Sequence, residues 1–263
     1  VVEMLSRLVP NEDEEISVQL EKALKDRGIS VLTDSTVQGF VAGDNSHVKI
    51  SNGNDVFELP CDRLLVAVGI EPNIDGLGLD EVGVGLDHGF VAVDNNMATT
   101  VPGIYAIGDL TGKLPLAHVG MAQGVVAVER MAGLDVPDLN YVDMPRATYS
   151  APQISSFGLT EQQAKGQGFE LKVGRFPFRG NGKALALGDY EGMVKIISDA
   201  NGGAVLGVHM IGAEVTELLG EASLTRLLKG STEELAWLVH PHPSLSEAIK
   251  EAALAAEDRA IHM

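Results

Sequence analysis

Cysteine is nearly missing from this chain. Of its 263 residues only Cys61 carries a thiol, so no internal disulfide, no Cys-x-x-Cys redox pair and no cysteine metal cluster can form within it. Cys61 stands in Leu-Pro-Cys-Asp-Arg-Leu-Leu, at the start of an apolar strand, and is expected to be a buried structural residue. Cations are scarce as well. The 19 Lys and Arg against 37 Asp and Glu leave a net charge of −18. That argues against nucleic-acid partners, whose phosphates require clustered Lys and Arg. No apolar run approaches the roughly 18 residues of a membrane span. Val1-Val2-Glu3 has neither the basic start nor the apolar core of a signal peptide. These features suit a soluble, well-dispersed cytoplasmic protein.

Glycine motifs for nucleotides are lacking too. Two G-x-G pairs occur, Gly76/Gly78 and Gly83/Gly85, but the third glycine of a dinucleotide fingerprint would fall on Glu81 or His88, and neither pair opens a helix. Gly112-Lys113 is followed by Leu114 rather than the Ser or Thr of a phosphate-binding loop.

The pattern that is present predicts an α/β plus α+β architecture. Asn11 to Asp26 reads as an amphipathic helix, with Asn11 and Glu14 spaced as a capping box and Ile16, Leu20 and Leu24 recurring every four residues. A short strand is expected over Ile29–Leu32. Strands over His47–Ser51 and Val56–Leu59 flank Asn52-Gly53, a strong hairpin signal. Leu64–Val68, closed by Gly69, reads as a fully buried strand. Ile104–Ile107 is a short strand running into Gly108-Asp109, and a helix follows from about His118 to Met131. A composition shift at Asp135–Pro145 marks a domain boundary. Beyond it, Thr160 and Gln163 cap a helix to about Gln167. Strands are expected near Glu170–Pro177, Lys183–Asp189, Met193–Ser198 and Val205–Met210, with helices over Glu214–Lys229, Thr232–Leu238 and Ser244–Ala260. Antiparallel strands with helices grouped around them make an α+β layer.

Three constellations could carry chemistry. Gly108-Asp109 ends a strand, where open sheets bind ligands; glycine permits close approach and Asp accepts hydroxyl hydrogen bonds. The same pair is also an ordinary turn. Leu116-Ala117-His118 opens a helix whose free N–H groups favour an electron-rich partner, or serves as a helix start with no ligand. The third is His240-Pro-His242-Pro-Ser-Leu-Ser-Glu247. Pro243 restricts His242 to extended backbone, and Ser244 with Glu247 is spaced as a capping box. The other reading is a dyad, in which Glu247 accepts from one ring nitrogen of His242 and leaves the other as a base. Both can hold together. Metal binding by His240 and His242 is disfavoured, because no further ligand lies close in sequence.

Taken in order, Thr99-x-x-Pro-Gly-Ile-Tyr-Ala-Ile-Gly-Asp109, then Leu116-Ala117-His118, then the His240 to Glu247 run resemble the dihydrolipoamide dehydrogenase family of flavin-dependent pyridine nucleotide-disulfide oxidoreductases. The resemblance extends from Glu3 past Glu247. It implies three regions: a partial NAD-binding domain over 1–70, the second segment of the FAD domain over 71–142, and a dimerisation domain over 143–263. Asp109 would bind the FAD ribityl chain, beside Gly108, while Leu116, Ala117 and His118 would face the flavin pyrimidine edge. Glu3 would hold the adenosine ribose of NAD, with Val37 on the adenine side and Gly69 in the turn near NAD. His242 would be the general base toward a dithiol, oriented by Glu247 and serving the partner subunit of a homodimer. Met210, Ile211, Leu218, Leu219 and Leu227 are expected to supply the dimer surface. The complete enzyme would oxidise the dihydrolipoamide of a lipoyl domain in a 2-oxo acid dehydrogenase complex.

Some positions depart from that family. Ile70 stands where the family usually has Arg, and Gln123 where an acidic residue is common. The fingerprint glycines and the Cys-x4-Cys pair are missing, so the chain is expected to be a truncated product, inactive alone. Mercuric reductase usually carries a C-terminal Cys pair, which the tail here lacks. Glutathione reductase usually lacks the first His of His-x-His-Pro. A non-catalytic dimerising protein is the reading from another class, and the single cysteine favours it.

Overall fold

The computed structural model describes residues 1–43, 45–53 and 55–262. It divides into two compact units, Val1–Leu65 together with Pro145–Met263, and Val66–Met144. The first unit opens with α1 (Glu14–Asp26) and three antiparallel strands, β1 (Thr36–Val41), β2 (His47–Asn52) and β3 (Asp55–Pro60). The second holds α2 (Leu79–Val82), a small ribbon of β4 (Leu86–Asp87) and β5 (Phe90–Val91), and α3 (Ala117–Met131). The first unit then resumes with β6 (Arg146–Thr148), β7 (Gln153–Gly158), α4 (Glu161–Gly166), β8 (Leu171–Pro177), α5 (Gly182–Leu187), β9 (Met193–Asp199), β10 (Val205–Gly212), α6 (Val215–Leu227), α7 (Thr232–Trp237) and α8 (Glu247–Ala256). Its five later strands form one antiparallel sheet in the order β6-β7-β10-β9-β8.

Both faces of that sheet are covered. On one, Phe157, Phe176, Val194, Ile196, Val208 and Met210 meet the apolar sides of α6 and α8. On the other, Ile154, Met193 and Ile211 meet Leu8 and the Ile16–Leu20 stripe of α1. This is why β9 and β10 are buried along nearly their whole length and read as continuous apolar runs rather than alternating ones. The seat of α8 is set by one glycine. A Cβ at Gly174 on β8 would stand 1.8 Å from the Ala252 carbonyl oxygen and 2.6 Å from the Ala256 nitrogen, so the helix backbone lies directly on the strand. Small residues on α8 (Ala248, Ala252, Ala253) complete the contact.

A polar row crosses the α1-facing side. Cross-strand partners place Arg146 opposite Ser156, Ser156 opposite His209, His209 opposite Lys195 and Lys195 opposite Arg175. Acidic residues at the starts of α1 and α4 meet this row. Lys195, almost fully buried, donates to Asp13 at 2.8 Å and to Glu15 at 2.6 Å, and pairs with Glu161 at 2.8 Å. Arg175 donates through Nε to both Glu15 oxygens, at 3.0 and 2.8 Å, and reaches Glu161 at 2.9 Å. Asp13 also caps α1 by accepting from the Glu15 amide, and its second oxygen accepts from the Glu161 amide. Burial works to raise the Glu161 carboxyl, but Lys165, Lys195 and Arg175 outweigh it and hold the group at about 2. Burial likewise opposes charge on Lys195, and Asp13, Glu15 and Glu161 reverse that and raise it.

Several expectations are corrected here. Leu64–Val68 forms no strand among the described residues; Leu65 and Val68 are 89% and 94% exposed. An apolar strand of that kind needs hydrogen-bonded neighbours, and the described residues supply none. Lys183–Asp189 is not a strand but the helix α5. Its Ala-Leu alternation imitates a period of two, yet Ala and Leu favour helix, Asn181 caps the start by accepting from Ala184 N, and Gly188 ends it at φ 72°. The N-cap of α1 is Asp13, not Asn11. Ile29–Leu32 is reduced to a single parallel bridge between Val2 and Leu32, and Ile104–Ile107 to a single antiparallel bridge between Ala98 and Tyr105. Cys61 is half-buried rather than buried. Of the five residues expected on the dimer surface, Met210, Ile211 and Leu219 are core and Leu218 packs against it, while Leu227 is exposed. Other large exposed apolar side chains of the region include Tyr149, Leu224, Leu228, Trp237 and Val239. The sequence pattern gives no sign of the strands β1, β4, β5, β6 and β7.

Replacing Lys195 with Met should strand Asp13 as an uncompensated buried charge and cost about 3–5 kcal/mol at neutral pH. Because the folded carboxyls titrate low, their stabilisation is present above the ordinary carboxylate range. It is lost as pH falls from 4.5 toward about 2. Thermal unfolding midpoints of wild type and Lys195→Met should therefore differ most near pH 7 and converge on acidification; a gap unchanged down to pH 2 contradicts the assignment.

Candidate functional site

In the second unit, the chain reaches Gly108 at φ 76°, ψ −157°, a conformation that favours glycine, and turns into a short helical turn at Asp109–Thr111. The Gly108 amide donates to Gln123 Oε1 at 2.6 Å, and Gln123 Nε2 donates to the Tyr141 hydroxyl at 3.0 Å. An added Cβ at Gly120 would lie 3.1 Å from the Gly108 Cα. The Gly108–Asp109 turn is thus fastened to α3 by close backbone approach and by a buried amide. Asp109 is left exposed beyond it. Helix α3 begins at Ala117, and no side chain caps it. Leu116, Ala117 and His118 therefore sit at an uncapped helix start, close in chain to the Asp109 turn. A carboxylate for hydroxyls and a positive helix end are the donor set that a flavin's polyol and electron-rich ring edge require. These residues fit FAD.

The residues assigned to NAD fit less well. The Glu3 carboxylate is turned onto its own backbone, accepting from Leu5 N at 2.8 Å. Val37 is exposed on β1, and Gly69 lies in exposed chain without a strand. Glu3 and Val37 belong to the first unit and Gly69 to the second.

The histidine run lies in the first unit, ahead of α8. His242 Nδ1 faces Glu247 Oε1 at 2.9 Å and Oε2 at 3.2 Å. Since a carboxylate only accepts, Nδ1 carries the proton and Nε2 is the basic nitrogen of a neutral ring. The ring is 76% exposed. Glu247 Oε2 also accepts from the Ser244 amide at 2.9 Å, so one carboxylate serves both the ring and the backbone. The capping box is nevertheless incomplete: α8 starts at Glu247 with Ser246 as its N-cap, and the Ser244 hydroxyl contacts Ser246. The Glu247 carboxyl is held low, its burial outweighed by the Ser244 amide and His242. The other histidine of the motif, His240, is engaged elsewhere, its Nε2 3.1 Å from each oxygen of Glu221.

Two supports were not foreseen. Asn181 Nδ2 donates to the Ser244 carbonyl at 2.9 Å while its oxygen caps α5, tying the histidine loop to the sheet side. Glu251, one turn after Glu247, accepts from the Ile261 and His262 amides and from the His262 ring at 2.8 Å, which fastens the C-terminal segment beside His242. The spacing of Glu247 and Glu251 on one helix face was the available signal for the second.

Residues 1–124 match the family model of the pyridine nucleotide-disulphide oxidoreductases, and residues 144–253 match the dimerisation domain of the same family. The chain belongs to the pyridine nucleotide-disulphide oxidoreductase family. Its curated relatives include the dihydrolipoyl dehydrogenase of Mycobacterium leprae, 48% identical over 95% of this chain and 54% of that protein. That of Zymomonas mobilis is 43% identical over 100% and 57%. Among solved structures, LpdA from Mycobacterium tuberculosis is similar at a TM-score of 0.86 and 29% identity, covering 96% of this chain and 55% of that one. The HOCl-induced flavoprotein disulfide reductase RclA from Escherichia coli shares the fold, at 0.86 and 23% identity over 96% and 58%. The chain spans about half the length of the curated relatives it matches.

Removing the ring should release the carboxylate. In His242→Ala, the Glu247 carboxyl is expected to titrate closer to its ordinary value, read by carbon NMR; an unmoved titration would show that the Ser244 amide alone holds it.

Proposed function

We propose that this chain forms the later part of a dihydrolipoamide dehydrogenase, and that His242 and Glu247 are its acid–base pair. The observation that carries the reading is the 2.9 Å contact between His242 Nδ1 and Glu247 Oε1, on a chain whose residues 144–253 match the family's dimerisation domain. Residues 1–70 would belong to the NAD-binding domain, 71–142 to the FAD domain, and 143–263 would form the interface of a homodimer.

In this reading His242 Nε2 takes the proton of a dihydrolipoamide thiol: the S–H bond breaks, an N–H bond forms, and the electron pair stays on sulfur as a thiolate. Glu247 fixes the ring's orientation through Nδ1–H and faces the imidazolium that results. The exposure of the ring allows it to serve a substrate outside its own subunit, the partner's site in a homodimer, with a lipoyl domain of a 2-oxo acid dehydrogenase complex delivering the dithiol. FAD held by Asp109 and the start of α3 would supply the electron acceptor, and NAD the final one, after a cysteine pair that these 263 residues do not contain.

A protein made of these 263 residues alone should therefore run as a homodimer in light scattering, without NAD-dependent oxidation of dihydrolipoamide. It should also lack stoichiometric flavin, since each missing polar contact to FAD costs about 1–3 kcal/mol. Turnover above a heat-killed control, or a monomer mass at micromolar concentration, would contradict this. A protein that joins the chain to the family's remaining length should be yellow and active with dihydrolipoamide. If it is yellow but inactive with that dithiol, the substrate assignment fails.

A further inference from the structure

Three polar atoms converge where α1's leading loop meets the sheet, and among the described residues none has a hydrogen-bond partner: Glu12 Oε2, Ser156 Oγ and His209 Nδ1. All three side chains are buried, Ser156 and His209 completely. Ser156 and His209 are cross-strand partners on β7 and β10, and Glu12 comes down on them from the turn before α1. Groups of this kind cost about 1–3 kcal/mol each when unsatisfied, and native structures leave few.

The donor and acceptor inventory narrows the solution. His209 Nε2 stands 3.0 Å from the Leu159 carbonyl oxygen, which can only accept, so Nε2 carries a proton, and a ring with that single proton presents Nδ1 as an acceptor. Glu12 Oε2 is an acceptor as well. Its carboxyl is held low against the opposing effect of burial, with the Arg146 charge among the causes, and its other oxygen lies 3.3 Å from Arg146 Nε. The two acceptors are 3.9 Å apart, too far for a direct bond and close enough for one molecule to sit about 2.8 Å from each. Ser156 Oγ can contribute a hydrogen to the same point.

The geometry points to a binding site for a single buried water molecule, which donates one hydrogen to His209 Nδ1 and the other to Glu12 Oε2 and accepts from Ser156 Oγ. Water has the needed two donors and an acceptor. Among the described residues no group of three or more His, Cys, Asp or Glu is placed to hold a metal ion, and an anion would be repelled by Glu12. The water completes the polar row between Arg146, which reaches Glu12 directly, and Lys195, which reaches Asp13. It makes the attachment of residues 7–15 to the dimerisation sheet a solvated joint rather than an ion pair alone.

The test is a high-resolution crystal structure of the protein containing this chain, together with nitrogen NMR of His209 at neutral pH. The expected result is one ordered water within hydrogen-bond distance of all three atoms, and a neutral ring protonated at Nε2. A ring protonated on both nitrogens and bonded directly to Glu12 would overturn the proposal. So would density for a metal ion, or a site in which Ser156 donates straight to Glu12 with no water.

Discussion

Gly174 has no side chain, and the Ala252 carbonyl stands where one would be. That contact fixes how deeply α8 rests on β8, and with it the height of the helix's first residue. Glu247 is that residue. Its carboxylate reaches His242 and the Ser244 amide together because the helix start is neither raised nor turned. Asn181 holds the intervening loop from the other side, and Glu251 fastens the C-terminal segment one turn further along. The histidine is thus exposed on a support that is buried and over-determined, which is how a proton acceptor is kept in one tautomer while remaining reachable.

The opposite face of the same sheet solves a different problem. There the row from Arg146 to Arg175 meets the acidic starts of α1 and α4, and the buried Lys195 lies among three carboxylates. Breaking such a cluster is costly while its net gain over an apolar contact is small. Its effect is therefore specificity. α1 can seat on the sheet in one register, with Asp13 and Glu15 on Lys195 and the Ile16–Leu20 stripe on Ile154, Met193 and Ile211. The N-terminal arm is joined to the dimerisation sheet by charge geometry and a modest apolar patch.

Local chemistry was the legible part of this molecule. The capping box of Thr160 and Gln163 reads directly and is present with both its bonds. The hairpin signalled by Asn52-Gly53 is present as well, with β2 and β3 antiparallel, although Asn52 pairs with Asp55 as the last residue of β2 rather than standing in the turn. The spacing of His242 and Glu247 also foretold their contact, since a first-turn side chain points back toward the preceding loop. What failed depended on partners far away in sequence. Leu64–Val68 is apolar enough for a buried strand, but a strand is a property of its neighbours. Lys183–Asp189 alternates as a strand would, and only Asn181 and Gly188, read as cap and stop, reveal the helix. Met210 and Ile211 are apolar enough for an interface yet lie in the core, because apolarity does not say which side of a sheet is covered by the protein itself. No local pattern announced the glycine seat at Gly174 or the polar row, because each exists only across strands.

The central claim is that His242 is the proton acceptor and that Glu247 acts through it. The most direct measurement is a double-mutant cycle on steady-state dihydrolipoamide oxidation, in the protein that joins this chain to the family's remaining length, with His242→Ala, Glu247→Ala and the pair. Loss of a general base should lower kcat by about 10²–10⁴-fold with flavin retained. Glu247→Ala should cost less, and the double variant should be no worse than His242→Ala. Multiplying effects in the double variant, or a His242→Ala enzyme with unimpaired kcat, would contradict the account.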